Sequence, residues 1–238
     1  KKKKILSMLM AVPQLEIEFI KACEGKKLTE VELDEWGYKQ FSEKYNPFGT
    51  LPAFGCSISH YQLYKRITKA KDKYALVLED DATINSNFKE QIAKVETFIS
   101  RSEQPIAILL SPHFSYHKND VKKIDETLRI TKVKTGYMTS GYLVNNRAAE
   151  LLANNLFPIR FLADDWSEFV KLGIKLYGTL PHLTSFPLEP GEIGESLVEI
   201  ENNESKIQQI RHIIGRFKAK IYNILRYIKG YRYSHRTW

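Results

Sequence analysis

The sequence predicts an α/β fold in which helices flank a mostly parallel sheet. Two continuous apolar segments, Tyr74–Leu78 and Ile106–Leu110, are typical of strands buried on both faces, as the strands of parallel sheets usually are. The segments Gly55–Ala70 and Asn85–Ile99 instead carry their apolar residues at helical spacing. Because strand and helix patterns alternate along the chain, we expect a sheet sandwiched between helices.

The remaining elements extend this alternation. Short strands are predicted at 141–144 and 174–177, with a helix at 147–156. Apolar and charged residues alternate over Leu15–Ala22, which predicts a half-buried strand. The apolar run near the amino terminus is short and lacks a signal-peptide cleavage site, so we predict an amphipathic helix over residues 2–12. No clear period is visible in residues 26–45 or at Lys132–Val133.

Positive charge is concentrated near the carboxyl end. The chain has 238 residues and a formal net charge of +8. Nine of its 36 Lys and Arg residues lie within 206–238, where there is no Asp or Glu, which leaves 27 basic against 28 acidic residues before them. We therefore divide the chain into a domain, 1–205, and a basic tail, 206–238. The sequence contains no run of about 18 apolar residues, so no membrane-spanning helix is predicted. The two cysteines form neither a disulfide framework nor a zinc-site pattern.

The tail is predicted to form a long helix over 207–228. Its apolar residues repeat at intervals of three and four, at Ile207, Ile210, Ile214, Phe217, Ile221, Ile224 and Ile228. Basic and tyrosine side chains lie off this stripe, as in helices that bind an anionic membrane surface. The alternative is packing on the chain's own domain or on a second copy, as a homodimer. Nucleic acid is not an expected partner, because the rest of the chain is slightly acidic and has no binding motif.

Three carboxylates, Glu79-Asp80-Asp81, directly follow the strand predicted at Tyr74–Leu78. Ligands of open α/β sheets bind at such carboxyl ends. If the strand alternation continues, Glu79 and Asp81 point to one side and Asp80 to the other. Two carboxylates on one side favour a hard divalent cation such as Mg²⁺ or Mn²⁺, which leaves positions open for substrate phosphates. The alternative is an acidic turn in solvent.

Two further features carry candidate chemistry. The pair Asp164-Asp165 precedes Trp166, and one of these carboxylates could take a proton from an attacking hydroxyl. The alternative is that the pair caps a helix. Small residues at Gly55–His60 are predicted to open a helix, and those at Ser140–Tyr142 to begin a strand. Both would let a phosphate or ribose approach the backbone closely, whereas tight packing is the alternative.

Together these features resemble glycosyltransferase family 25, the lipooligosaccharide galactosyltransferase group that also includes the collagen galactosyltransferases. The similar segments occur in the family's order: FIKACEG at 19–25, GCSISH at 55–60, YALVLEDD at 74–81, SGYLV at 140–144, and PI with DD within 158–165. The resemblance extends over about residues 15–200. Its most specific part is the pairing of the SH and LEDD motifs.

The resemblance implies a GT-A-like, Rossmann-type fold, a UDP-hexose donor, most often UDP-galactose, and Mn²⁺ or Mg²⁺ bound by the acidic triplet. Glu79 and Asp81 are then metal ligands, and we add His182 as a candidate third. Asp164 or Asp165 would be the base of an inverting transfer. The residues assigned to the nucleotide sugar are Glu24, Gly55, Ser59, His60, Asp80, Gly141 and Tyr142.

Three departures from the family pattern concern the donor site. Lys21 and Glu24 stand where the family has two Asp, and Arg160 replaces the carboxylate of its PID motif. The family's opening motif, INLxRxxR, is expected upstream of Lys1. We expect hexose transfer to a lipooligosaccharide or other glycan, at the cytoplasmic face of the bacterial inner membrane. The alternative is a carbohydrate-binding or scaffold protein of the same fold without activity, which the intact acidic triplet disfavours.

Overall fold

The computed structural model describes residues 6, 9, 16–70, 72–186 and 226–234. Six α-helices lie wholly within these residues: α1 (Glu30–Trp36), α2 (Tyr38–Lys44), α3 (Leu51–Lys69), α4 (Phe88–Ser100), α5 (Asn146–Asn155) and α6 (Trp166–Lys171). The strands of the same residues are β1 (Tyr74–Leu78), β2 (Thr83–Ile84), β3 (Ile106–Leu109), β4 (Phe114–Lys123), β5 (Arg129–Gly136), β6 (Gly141–Asn145), β7 (Lys175–Leu180), β8 (Thr184–Ser185) and β9 (Tyr231–Ser234).

The main sheet is mostly antiparallel, so the α/β class is confirmed but the prediction of a mostly parallel sheet is wrong. Its strand order is β1-β6-β3-β7-β5-β4-β9, and β2 pairs with β8 separately. Among these strands only β3 and β7 pair in parallel. β6 runs antiparallel to both β1 and β3, so those two strands and β7 share one direction.

Helices on both faces explain why the apolar strand pattern was misleading. In β3, Ala107 and Leu109 pack into the core beneath α3, α5 and α6. Ile106 and Ile108 face the opposite core, which is built on α4. A continuous apolar run therefore reports burial on both faces, and it says nothing about strand direction.

Helix α3 begins earlier than the sequence pattern indicated. The hydroxyl of Thr50 accepts the Ala53 N–H at 3.4 Å, and Pro52 lies in the first turn, both of which are helix-start signals. As a result, the segment Gly55–His60 lies inside the helix and does not open it. This position turns Cys56 and His60, four residues apart, toward the end of β1.

The strand predicted over Leu15–Ala22 is wrong where the structure describes it. Residues 16–24 have no regular secondary structure, and Phe19 and Ile20 are exposed. The alternation of apolar and charged residues is not sufficient for a strand, because a strand needs a pairing partner and no described strand lies beside this segment. Helix α1, which the sequence pattern missed, begins with a capping box between Thr29 and Glu32.

The terminal predictions fall largely outside the described residues. Of the predicted helix at 2–12, only Leu6 and Leu9 are described, and both are helical. The predicted helix at 207–228 lies outside the described residues except for 226–228, which are helical. Strand β9 then pairs antiparallel with β4, with Phe114 opposite Ser234. No helix in the described part of the chain has the length and apolarity needed to cross a membrane.

Candidate functional site

Cys56, His60 and Glu79 meet where helix α3 passes the carboxyl end of β1. Their sulfur, nitrogen and oxygen atoms lie within 4.8 Å of one another. The Nε2 atom of His60 is 3.8 Å from the Oε1 atom of Glu79. The sequence analysis assigned Glu79 to the metal and His60 to the nucleotide sugar, and it gave Cys56 no role. The spacing of four residues between Cys56 and His60 on a predicted helix was a usable signal.

The buried imidazole of His60 is held in a fixed orientation. Its Nδ1 atom is 2.8 Å from the Tyr142 hydroxyl, and that hydroxyl donates to Tyr64 at 3.2 Å. His60 Nδ1 is therefore the donor to Tyr142, and Nε2 is directed at Glu79. Burial alone would lower the pKa of His60, but hydrogen bonds to Cys56 and Glu79 outweigh it and raise the pKa to about 9.

Glu79 is the partly accessible carboxylate of this cluster. Burial would raise its pKa, but hydrogen bonds from His60 and Thr139 outweigh that effect and lower it. About 31% of the side chain remains exposed. Glu79 is therefore a charged carboxylate that an incoming ligand can reach.

Asp164 and Glu79 are each hydrogen-bonded to one of two consecutive residues, Met138 and Thr139. The Asp164 Oδ2 atom accepts the Met138 N–H at 3.4 Å, and the Thr139 hydroxyl donates to the Glu79 carboxylate. Met138 has a φ of 76°, an unusual value for this residue type, and its carbonyl accepts the Trp166 indole N–H at 3.0 Å. Burial raises the pKa of Asp164, and the negative charges of Glu79 and Asp165 add to the increase. Of the two predicted bases, this one lies beside the cluster.

Asp165 occupies the N-cap position of α6, yet its side chain does not cap the helix. Instead its Oδ2 accepts the Tyr45 hydroxyl at 2.9 Å. Burial of Tyr45, with a contribution from this hydrogen bond, raises the pKa of the phenol. The Asp165 carboxylate therefore ties α6 to the end of α2.

The acidic triplet does not continue the strand alternation. The Ala82 N–H donates to the Glu79 carbonyl at 3.1 Å, so Glu79-Asp80-Asp81 lie in a tight turn directly after β1. Asp80 is exposed, and Asp81 is partly buried. The prediction that alternation would place Glu79 and Asp81 on one side of a strand is therefore wrong, because the strand ends at Leu78.

His182 is not part of the Cys56–His60–Glu79 cluster. It follows β7, in the segment that leads to β8. Its carbonyl accepts the Asn85 amide at 2.9 Å, and its ring packs edge-on against Phe114. Within the described residues, the metal-binding geometry includes neither Asp81 nor His182. The described cluster thus keeps Glu79 from the predicted ligand set and joins it to Cys56 and His60.

Tight packing explains the two glycines that were assigned to the nucleotide sugar, Gly55 and Gly141. A Cβ on Gly55 would lie 2.5 Å from the Gly25 nitrogen, and one on Gly141 would lie 2.3 Å from the Thr184 hydroxyl. The hydroxyl of Ser59 is also used internally, because it accepts the Cys23 N–H at 2.8 Å and donates to the Gly55 carbonyl. Glu24 is exposed and pairs with Lys27 at 2.6 Å. Tyr142 is fully buried.

The chemistry of the donor set indicates which cation it suits. A thiol, an imidazole and a carboxylate favour transition metals over Mg²⁺, which prefers oxygen ligands. The sulfur and nitrogen donors suit Zn²⁺, whereas the two predicted cations, Mn²⁺ and Mg²⁺, are matched by the Glu79 carboxylate alone. Because Cys56 and Glu79 are only partly buried, a ligand could complete the coordination from outside.

The fold and the site define an α/β protein with a polar cluster at the carboxyl end of β1, an edge strand of the sheet. The carboxyl ends of strands are where α/β proteins bind ligands. The model of glycosyltransferase family 25 (LPS biosynthesis protein) matches residues 1–167. The chain belongs to this family.

Three relatives illustrate the extent of the similarity. Procollagen galactosyltransferase 2 of Mus musculus is 21% identical over 188 residues, which cover 74% of this chain and 30% of the mouse protein. Putative glycosyltransferase R655 of Acanthamoeba polyphaga mimivirus is 30% identical, over 54% of this chain and 42% of the viral protein. A glycosyltransferase 25 family member of Aedes aegypti is 26% identical, over 58% of this chain and 23% of the mosquito protein. The chain thus spans less than half the length of each of these relatives.

Proposed function

We propose that this chain transfers a hexose, with galactose as the expected sugar, from a UDP-sugar to a glycan acceptor. The transfer would take place within a GT-A-like domain at residues 1–205. The observation that carries the proposal is the connection between Glu79 and Asp164. It sets a partly exposed carboxylate and a buried carboxyl with a raised pKa around one short loop at Met138-Thr139. Membership of glycosyltransferase family 25 and relatives named as galactosyltransferases support the reaction type.

In this proposal Asp164 is the general base. A carboxyl whose pKa is raised toward neutrality is a more effective proton acceptor than an ordinary carboxylate. Asp164 would take the proton of the acceptor hydroxyl as that oxygen attacks the sugar's anomeric carbon and the bond to UDP breaks. One such displacement inverts the anomeric configuration. Asp165 is less suited to this role because its carboxylate is occupied by the Tyr45 hydroxyl.

We assign the divalent cation to Cys56, His60 and Glu79. Mn²⁺ is the ion that the family resemblance implies, and Zn²⁺ is the ion that the sulfur and nitrogen donors suit. When bound, it would supply Lewis-acid stabilisation for the negative charge of the departing UDP. The protein's own contribution is orientation: Tyr142 fixes the His60 ring, and Thr139 fixes the Glu79 carboxylate. Asp80, exposed in the same turn, is assigned to the donor nucleotide.

The experiment that tests the proposal is a screen of UDP-, GDP- and CMP-sugars for metal-dependent release of the nucleotide. We expect release from a UDP-hexose with Mn²⁺, and its loss in Asp164→Asn. The matched control is Glu103→Gln, which removes an exposed carboxylate paired with Arg147. If no sugar nucleotide is turned over with any divalent cation, the proposal is contradicted.

A second candidate is a carbohydrate-binding or scaffold protein of the same fold. Its support is that Gly55, Ser59 and Gly141, which were assigned to the nucleotide sugar, make contacts within the protein. A binding module would hold a glycan without Mn²⁺ and would release no UDP. The same screen, combined with calorimetry of glycan binding in a metal chelator, separates the two candidates.

We also propose that the basic tail brings the enzyme to an anionic membrane face carrying a lipid-linked acceptor. The support is the nine basic residues, without any acidic residue, in 206–238. Each basic residue near an anionic surface contributes roughly 1 kcal/mol. The cytoplasmic face of a bacterial inner membrane is such a surface.

A further inference from the structure

A positively charged cavity lies at the end of β7, away from the Glu79 cluster. Its volume is about 520 Å³, and β4, β5, β7 and β9 contribute to its walls. Lys118, Arg129 and Arg232 supply three cationic side chains, and His182 and Leu180 form part of the lining. None of the described residues that line it is acidic. An anionic ligand is the natural complement of such a cavity.

The cavity opens at the same end of the sheet as the Glu79 cluster. β1, β3 and β7 run in one direction, so Leu78 and Leu180 both end their strands at this edge. The three cationic side chains of the cavity lie on β5, β4 and β9, which are four to six strand spacings from β1, or roughly 19–28 Å. A ligand extending along this edge of the sheet could therefore reach both sites.

The cationic groups are held by the sheet itself. Arg129 lies opposite Leu180 in the β5–β7 register, and Arg232 lies opposite Tyr116 in the β4–β9 register. The guanidinium of Arg232 donates to the carbonyls of Tyr227 and Tyr231 and stacks 3.9 Å from the centre of the Tyr227 ring.

Among the described residues, no carboxylate neutralises their charge. Within the described residues, no acidic side chain forms an ion pair with Lys118, Arg129 or Arg232. Asp120, the acidic residue of β4 close to Lys118 in sequence, is paired with Lys134 at 3.5 Å. The positive charge of the cavity is thus available to a ligand.

We propose that this cavity binds a phosphate group carried by the acceptor. The proposal deepens the proposed function and rests on it. Guanidinium groups bind phosphate oxygens through paired, charge-assisted hydrogen bonds, and an ammonium group such as that of Lys118 adds a point charge. The donor's diphosphate must lie beside the transferred sugar at the Glu79 cluster. A group bound about four to six strand spacings away therefore belongs to a different part of the reacting complex, several sugar units along the acceptor.

The test uses the full chain and a double variant, Lys118→Gln with Arg129→Gln. Its control, Lys132→Gln with Lys175→Gln, removes the same charge from exposed positions outside the cavity lining. The probes are inorganic phosphate and a hexose 6-phosphate, each measured by calorimetry in saturating UDP so that the donor site is filled. We expect the cavity variant to lose about tenfold or more in affinity for both probes, since two charge-assisted contacts are removed. The control variant should stay within about twofold of wild type.

A parallel measurement of UDP affinity distinguishes the acceptor phosphate from the donor diphosphate. We expect both double variants to bind UDP as wild type does. The inference is overturned if the cavity variant binds the phosphate probes normally, or if it loses UDP affinity instead. Both readouts are direct binding measurements, so a failure of the proposed transferase activity would not mimic a failure of this inference.

Discussion

The Nε2 atom of His60 lies 3.8 Å from the Oε1 atom of Glu79, while the opposite nitrogen of the ring contacts Tyr142. One helix and two strands thereby fix the direction in which the imidazole presents its second nitrogen. The same arrangement serves as an ion pair when a proton occupies Nε2, and as part of a ligand set when a cation displaces that proton.

The first prediction tests this orientation with Tyr142→Phe, which removes only the hydroxyl that holds His60 Nδ1. Because partners that orient a metal-bound histidine raise metal affinity, we expect Mn²⁺ or Zn²⁺ binding to weaken by about 10- to 100-fold. Calorimetry with each ion provides the measurement. Tyr64→Phe is the matched control, since it removes the next hydroxyl in the chain of hydrogen bonds and leaves the His60 contact intact. Equal effects of the two variants would contradict the assignment.

The second prediction separates the two adjacent carboxylates. Asp164→Asn should lower kcat by ~10² to 10⁴-fold with little change in donor affinity, the usual effect of removing a general base. Asp165→Asn should instead mainly affect folding, because it replaces the charged acceptor of the Tyr45 hydroxyl. Steady-state kinetics and thermal unfolding of both variants decide the point. The roles are reversed if Asp165→Asn carries the larger loss of kcat.

The third prediction concerns stability at different pH values. Burial raises the pKa of Asp164, so the fold favours the protonated carboxyl, and that stabilisation is lost as the pH rises through the folded-state pKa. Asp164→Asn keeps an acceptor for the Met138 N–H without the charge. We therefore expect the variant to gain Tm relative to wild type at pH 7 and to gain less, or nothing, near pH 4. A larger gain at the lower pH would contradict the cause assigned to the pKa shift.

The fourth prediction distinguishes packing from ligand approach at Gly55. Its missing side chain makes room for the Gly25 nitrogen and the Cys23 carbonyl, both within 2.6 Å of where a Cβ would be placed. Gly55→Ala should destabilise the protein by ~1–3 kcal/mol, the usual cost of overpacking. Denaturant unfolding measures this, and UDP affinity of the folded fraction should be unchanged. If UDP binding is lost while stability is preserved, Gly55 belongs to the nucleotide site.

The fifth prediction tests the membrane proposal without disturbing the sheet. Truncation at Lys206 would delete β9, so charge neutralisation is the cleaner change. Replacing Lys206, Arg211, Lys218 and Lys220 with Gln should abolish cosedimentation with anionic vesicles at low salt, because several kcal/mol of attraction are removed. Four exposed lysines of the domain, Lys39, Lys69, Lys89 and Lys122, provide a control of equal charge. Binding that survives the first set, or fails equally in the second, contradicts the proposal.

The elements that the sequence predicted well have patterns set by local burial. β1, β3 and β6 have apolar runs because both of their faces are covered, and α4 has a clear apolar face. Strand direction and the β4–β5 hairpin were missed. Pairing is decided by contacts distant in sequence, and β4 carries mostly polar residues with register shifts along its length.

For the site, the sequence indicated which motifs matter but could not give their distances. Glu79 and His60 were selected through family-like motifs, and they do lie together. Cys56 was not selected and His182 was, whereas the described cluster contains Cys56 and not His182. Which side chains meet depends on how helix α3 packs against the end of β1, and no local sequence pattern gives that packing. The link between Asp164 and Glu79 runs through Met138-Thr139, a loop whose backbone conformation no sequence pattern announced.

The central claim is that Glu79 belongs to the centre of a hexose transfer. The most direct measurement is the rate of UDP release from UDP-galactose with Mn²⁺ and a glycan acceptor, compared between wild type, Glu79→Gln and the control Glu103→Gln. The Gln side chain keeps the size of Glu79 and its acceptor for the Thr139 hydroxyl while removing the charge. The account predicts Mn²⁺-dependent release by wild type and Glu103→Gln, and a loss of about 100-fold or more in Glu79→Gln. Wild-type turnover in Glu79→Gln, with the same Mn²⁺ dependence, would contradict it.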